Sequence, residues 1–352
     1  MARTGTRRAA SRELIVLALV ALVAAAFCPN VAAARSSDRP RHHMKTTLLA
    51  DGLHGTVGAT IGPDGALYVA EAGTGAGDPG RVIRIDARNG KTTTVASDLP
   101  ARVIPLGGAI DVAFARGTLY VLVTAVGPDV GGTSVDGIYR LEDSGHFTVF
   151  ADIGAWSLAN PPSTAFDLSM GVQFALQPIS DGFLVTDGHH NRVLHVSAAG
   201  QVTQLIQFGN IVPTGLAVSH GRVFMSEAGP VPYDPASGMV VSFRNHHPRR
   251  VREVASGYSL LVDVECGPGG ALYALSQGDS PGDVAPGSPA LPGSGRLLVM
   301  NRHGTFSVLA DKLNLPTSLD FAGDTAFVTT LTGQVWKIED VPKRRPARCH
   351  SH

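Results

Sequence analysis

Two adjacent histidines, His189 and His190, stand in the stretch TDGHHNRVLHV between an aspartate and an Asn-Arg pair. Near neutral pH a histidine can serve as a general base, a substrate contact or a metal ligand. Neighbouring residues of an extended chain point apart, so the two do not share one metal, and no other histidine has ligand spacing to them. The plainer alternative is a solvated turn. The remaining chemistry is carried by carboxylates: Asp111 and Asp263 within apolar runs, and Glu71, Asp187 and Glu227 before glycine-containing turns. Whether these converge depends on the elements that hold them.

Those elements repeat. One string recurs as ALYVAEAG, TLYVLVTA, GFLVTDG, RVFMSEAG, ALYALSQG and TAFVTTLTG, and a following strand as GRVIRI, GIYRL, NRVLHV, GMVVSF, GRLLVM and GQVWKI. A further strand follows only five times: TTTVASDL, FTVFADIG, VTQLIQFG, VREVASGY and FSVLADKL. The sixth copy stands at the front, where TTLLADGL (Thr46–Leu53) matches FSVLADKL. A four-stranded sheet cannot bury both faces alone, so six such sheets must stack radially and close. Short alternating strands punctuated by glycine, without a long helical period, predict an all-β six-bladed β-propeller whose first strand completes the last blade.

In such a ring the connections alternate between two faces. The tight turns, GPDG, ARG, SHG, GPGG and AGD, fall on one. The long connections, AEAGTGAGDPG, TAVGPDVGGTSVD, EAGPVPYDPASG, SQGDSPGDVAPGSPALPGSG and the insert GAWSLANPPSTAFDLSM, fall on the other. Long irregular loops are commonly functional, which marks that face as the recognition surface.

Aligning the blades places Gly58, Asp111, Gln173, Gly215, Asp263 and Ser318 at one position of the innermost strand, lining the central opening. Asp111 and Asp263, three blades apart, then face each other. They could hold a cation, bind an ammonium group or share a proton; the structural alternative is that each accepts backbone N–H bonds. Glu71, Asp187 and Glu227 end their second strands on the loop face, and there they would make the opening electronegative, favouring cationic or polyol ligands.

Composition sets the outer limits. Residues 1–34 combine arginines, the apolar run LIVLALVALVAAAF and a small-residue end, the order of a cleaved secretory signal. A basic linker at 35–45, the propeller at 46–341 and a basic tail at 342–352 complete the expected organisation, and no later run is long enough to span a bilayer. Residues 46–341 hold 27 acidic against 17 basic side chains, a net of −10 that argues against nucleic-acid binding. The mature chain keeps two cysteines, which do not make a disulfide framework, and Cys266 reads as a small buried hydrophobe. No G-x-S-x-G elbow, H-E-x-x-H or phosphate loop is present.

The turn from Asp187 through Asn191-Arg192-Val193 resembles the D-x-x-x-N-R-V turn of NHL repeats, a resemblance implying that its acid, asparagine and arginine tie strands together. Over nearly the whole mature chain, GPDGALYVAEAG, EAGPVPYDPASGMVVSF, LLVDVECGPGGALYALSQGD and LPTSLDFAGDTAFVTTLTGQVWKIEDV resemble the ScyD/ScyE family of exported propellers, which implies fold and export but no reaction. Gluconolactonase-like and strictosidine synthase-like propellers are similar more distantly. In the lactonases Glu, Asn and Asp hold a cation, whereas this chain has Val57 in place of the first-blade glutamate and Thr214 in place of the asparagine. The expectation is therefore a secreted, monomeric propeller binding a small molecule, glycan or protein at its loop face. The alternative is a hydrolase, lyase or condensing enzyme using the opening's carboxylates with His189 or His190.

Overall fold

The computed structural model describes residues 44–343 and 349, apart from 233, 235, 247, 249, 283, 285 and 286. The expected signal, most of the linker and most of the tail lie outside the described residues. Six four-stranded antiparallel sheets form the ring. Their innermost strands are Thr56–Ile61, Gly108–Ala115, Gln173–Ile179, Pro213–Ser219, Leu261–Cys266 and Pro316–Ala322. The second strands are Leu67–Glu71, Thr118–Thr124, Gly182–Asp187, Arg222–Glu227, Leu272–Ser276 and Thr325–Thr330. The first strand, Lys45–Ala50, pairs antiparallel with the last, Val335–Glu339, as the outermost strand of blade 6. The ring is latched as the repeat count demands.

Alternation along each strand sends side chains to both neighbouring blades, so the core is a set of interblade layers. Val82, Leu99, Val112 and Val121 bury themselves between blades 1 and 2, and Leu275, Leu297, Leu319 and Val328 between blades 5 and 6. The aromatic of the second-strand motif stitches its blade to the next. Tyr68 meets Phe114, Tyr120 meets Phe183 and Tyr273 meets Phe321, with ring centroids 4.8, 4.8 and 4.7 Å apart. Each such pair adds about 0.5–1.5 kcal/mol beyond burial. The insert between blades 2 and 3 contains a short helix, Ile153–Ala159, capped by the Asp152 carboxylate on the Ala155 N–H at 2.8 Å.

One expectation is overturned. Cys266, at the end of blade 5's innermost strand, is joined to Cys349 by a disulfide. Cys349 is itself buried in the blade 4–5 core, and its N–H donates to the Gly270 carbonyl at 2.8 Å. The tail therefore returns to the ring at that residue, a pairing hidden in sequence by the separation of 83 positions between the cysteines. Among the described residues no helix is long and apolar enough to cross a membrane.

Candidate functional site

The channel along the ring axis is divided into two cavities that share no lining residue. The loop-face cavity, of about 400 Å³, draws its wall from the long connections. Pro105 and Leu106 come from between blades 1 and 2, Phe166 from the insert, Asn210 from between blades 3 and 4, and Val231 and Gln277 from loops within blades 4 and 5. Its floor takes one residue from every innermost strand: Val57, Ile110, Phe174, Thr214, Val262 and Thr317. Sequence alignment found the position next to this ring but not the ring itself. A shift of one residue along the strand gives it in five of the six blades.

None of the expected carboxylates lines this cavity. Asp111 and Asp263 lie one residue further along, in a separate cavity of about 260 Å³ at the opposite mouth, with Glu265, Ser318 and Asp320. The Asp111 carboxylate accepts the Val112 N–H at 2.8 Å and the Leu176 N–H of blade 3 at 2.7 Å. Asp263 does the same with Val264 at 2.8 Å and Leu319 of blade 6 at 2.7 Å. Asp320 accepts the Ile61 N–H of blade 1 at 2.6 Å, closing the ring on its inner side. A Cβ at Gly58 would overlap the Asp111 carboxylate and one at Gly215 that of Asp263, so glycine in blades 1 and 4 makes room for the acids of blades 2 and 5. Burial pushes the Asp111 carboxyl up to about 8, and burial likewise raises Asp263, Glu265 and Asp320.

Gln173 is misplaced by the alignment. It pairs with Asp187 at the end of the second strand, as Leu261 pairs with Ser276, so the blade 3 counterpart of Asp263 is Ala175. Gln173 is buried; its Oε1 accepts from Thr124 Oγ1 at 2.7 Å, and its Nε2 donates to Met170 O at 3.1 Å and Asp187 Oδ1 at 3.3 Å. Ser318 is buried at the expected position, and its Oγ accepts the Ala59 N–H at 3.2 Å.

Glu71, Asp187 and Glu227 do occupy equivalent strand ends, opposite Thr56, Gln173 and Pro213. All three are buried away from the loop-face opening, which leaves that opening apolar rather than electronegative. Glu71 accepts the His54 N–H at 2.7 Å and faces Arg81 Nε at 3.2 Å. Asp187 Oδ2 receives Arg192 Nε at 2.9 Å. Arg192, fully buried, also donates to Asn160 O at 2.7 Å and Ser157 Oγ at 2.9 Å and stacks over Trp156 at 4.9 Å. In blade 4 the residue opposite the acid is Met239, so Glu227 has no arginine; burial raises its carboxyl to about 8.

The histidines separate completely. His190 is buried, its Nε2 donating to Leu168 O at 2.8 Å and its Nδ1 accepting from Arg192 Nη2 at 2.9 Å. It therefore fastens the insert to blade 3. His189 lines the cavity beside Phe174, ring centroids 6.4 Å apart, and burial holds its imidazole below the usual histidine range. Among the described residues no protein hydrogen bond engages its ring nitrogens. Asn191, in the left-handed conformation at φ 55°, accepts the Ile211 and Val212 N–H groups at 2.9 and 3.0 Å.

A ring of six antiparallel sheets with a loop-walled cup at one end of its axis defines the class: a six-bladed β-propeller. Solved structures of β-propellers are similar to it over most of its length. A gluconolactonase from Xanthomonas campestris is 14% identical over 85% of this chain and 90% of its own, with a TM-score of 0.58. Virginiamycin B lyase from Staphylococcus aureus is 12% identical over 84% and 98%, at 0.50. The PQQ-bound aldose sugar dehydrogenase from Streptomyces coelicolor is 14% identical over 86% and 99%, at 0.51. At these identities the likeness is one of fold. No family profile and no curated protein matches the chain.

A cation of the lactonase kind does not fit the loop-face floor. Val57 and Thr214 stand in the six-residue ring, and neither replaces an anionic or amide oxygen for a hard cation. Among the described residues no three His, Cys, Asp or Glu side chains are grouped to hold a metal.

Proposed function

We propose that this chain is an exported propeller that binds a small molecule in its loop-face cavity. The observation that carries the reading is the cavity itself. It is concave, predominantly apolar and of a size that encloses a small organic molecule, with a histidine whose nitrogens have no protein partner among the described residues. A flat protein-binding surface or a polar glycan cleft would be built differently. Export is supported by the signal-like residues 1–34 and by the pairing of Cys266 with Cys349, since disulfides persist in oxidising compartments. Membership in the ScyD/ScyE family is supported by the loop strings quoted above. The test is recovery of the protein from its host's medium or envelope fraction, followed by native mass spectrometry. A bound organic mass, released on denaturation, is the expected result; apoprotein alone from a host that makes the ligand's class would count against it.

A catalytic reading is favoured by one group. Burial holds the His189 imidazole below the usual histidine range, and it lines the cavity, as suits a general base. If it acts so, His189→Gln abolishes turnover of the bound molecule while leaving thermal stability unchanged. Asp111 and Asp263 have no part in this reading, because the floor ring stands between them and the cavity.

A further inference from the structure

The polar groups of the loop-face cavity divide into those already committed and those still open. The Thr214 hydroxyl serves Ser226 O and Leu261 O at 3.0 and 2.8 Å, and Thr317 Oγ1 is engaged with Thr329 Oγ1 at 2.9 Å. Asn210 spends both ends of its amide on the Val231 backbone, at 2.7 and 3.0 Å. Thr164 Oγ1 donates to His190 O at 3.4 Å, Ser288 is engaged as well, and the Asp167 carboxylate is exposed, which leaves three open groups inside the cavity among the described residues. His189 offers one ring N–H and one ring nitrogen lone pair. Asn191 uses Oδ1 on two backbone amides, leaving its Nδ2 without a protein partner among the described residues. Gln277 uses Oε1 on the Ala290 N–H at 2.9 Å, leaving its Nε2 likewise.

The open set is thus two amide N–H donors and a neutral imidazole, set in a wall of Leu106, Ile110, Phe166, Phe174, Val262 and Leu331. A polyol would bring more hydroxyls than three groups can satisfy, and each one buried unpaired weakens binding. Among the described residues a cation finds one lining carboxylate, that of Asp167, which is exposed, and an anion finds no lysine or arginine in the lining. We infer that the cavity's ligand is a neutral, largely apolar molecule, carrying a hydroxyl or carbonyl oxygen at the edge that meets His189 and Asn191. This deepens the binding role proposed above and rests on it.

The test is a displacement assay on the full mature chain with N-phenyl-1-naphthylamine, a neutral apolar fluorophore. The expected result is saturable fluorescence enhancement, reversed by naphthalene and more tightly by 2-naphthol, and unaffected by glucose or tetramethylammonium. His189→Ala should weaken 2-naphthol about three- to tenfold, the worth of one hydrogen bond, and leave naphthalene unchanged. Ile110→Asp should abolish uptake of the probe; Leu106→Asp, on a surface connection, serves if that floor variant does not fold. Displacement by glucose or tetramethylammonium but not by naphthalene overturns the ligand class and leaves small-molecule binding standing. Absence of probe uptake and of binding to any of the four overturns both. Equal loss of naphthalene and 2-naphthol in His189→Ala overturns the polar edge assigned to His189.

Discussion

The two ends of the channel deal with buried acid in opposite ways. At the loop face, Glu71 and Asp187 are neutralised by arginine side chains and turned away from the opening, so the cavity beside them is apolar. At the opposite mouth, Asp111, Asp263 and Asp320 receive backbone N–H groups from neighbouring blades and line the cavity they occupy. Arginine pairs an acid away from the site; backbone amides tie an acid into the channel wall and stitch sheets together. The same residue type therefore means different things one or two positions apart on a strand.

The contrast can be broken most severely at Arg192. Arg192→Met leaves Asp187 buried without its cation and releases the helix-bearing insert, which also loses the arginine's bonds to Ser157 and Asn160. The expected cost is about 3–5 kcal/mol, read by denaturant unfolding. It should be accompanied by loss of probe uptake in the loop-face cavity, because Phe166 rides on that insert. Unfolding at the wild-type midpoint would show that Asp187 needs no arginine.

The opposite end is next. Cys349→Ser, or reduction of the bond, should cost about 2–4 kcal/mol, with the loop-face cavity still able to take the probe. Loss of probe binding with full stability would mean that the two ends are coupled, contrary to the division described here.

A pH titration sharpens the comparison further. Asp111, Asp263, Glu265 and Asp320 all have carboxyls raised by burial, so the folded state holds their protons more tightly than the unfolded chain. The stability they contribute is complete below the unfolded carboxyl value of about 4 and is lost as pH rises through the raised values. The melting temperature should fall progressively from about pH 4 to about pH 8 and level off above that, and Asp111→Asn should flatten part of that slope. A flat profile in the parent protein would contradict these assignments.

The smallest effect is expected in blade 4. Met239→Arg places opposite Glu227 the partner that its counterparts already have, lowering the raised carboxyl and adding up to about 1 kcal/mol at pH 8. The change should vanish in a Glu227→Gln background, as a double-mutant cycle would show.

Much of this was legible in the residues. The displaced TTLLADGL strand announced the latch, and the unequal loop lengths identified the face that carries the cavity. The Asp187–Asn191–Arg192 turn was readable because all three partners lie within six residues. Other features turn on quantities that a string of letters does not display. Gln173 was assigned to the axis because the long insert before it conceals where the strand begins, and the bulge after it sets the register. The carboxylates of Asp111 and Asp263 were legible as channel residues, but not which of the two cavities they line, since a single step along an innermost strand decides between cavities. Cys349 carried no signal of its partner, for the ring brings together residues that the chain keeps far apart.

The ring of Val57, Ile110, Phe174, Thr214, Val262 and Thr317 forms the inner end of the loop-face cavity, and the long connections form its rim. A molecule resting on that floor would come and go between those loops. Release then depends on the insert and its neighbours, and residence time becomes a property of the rim.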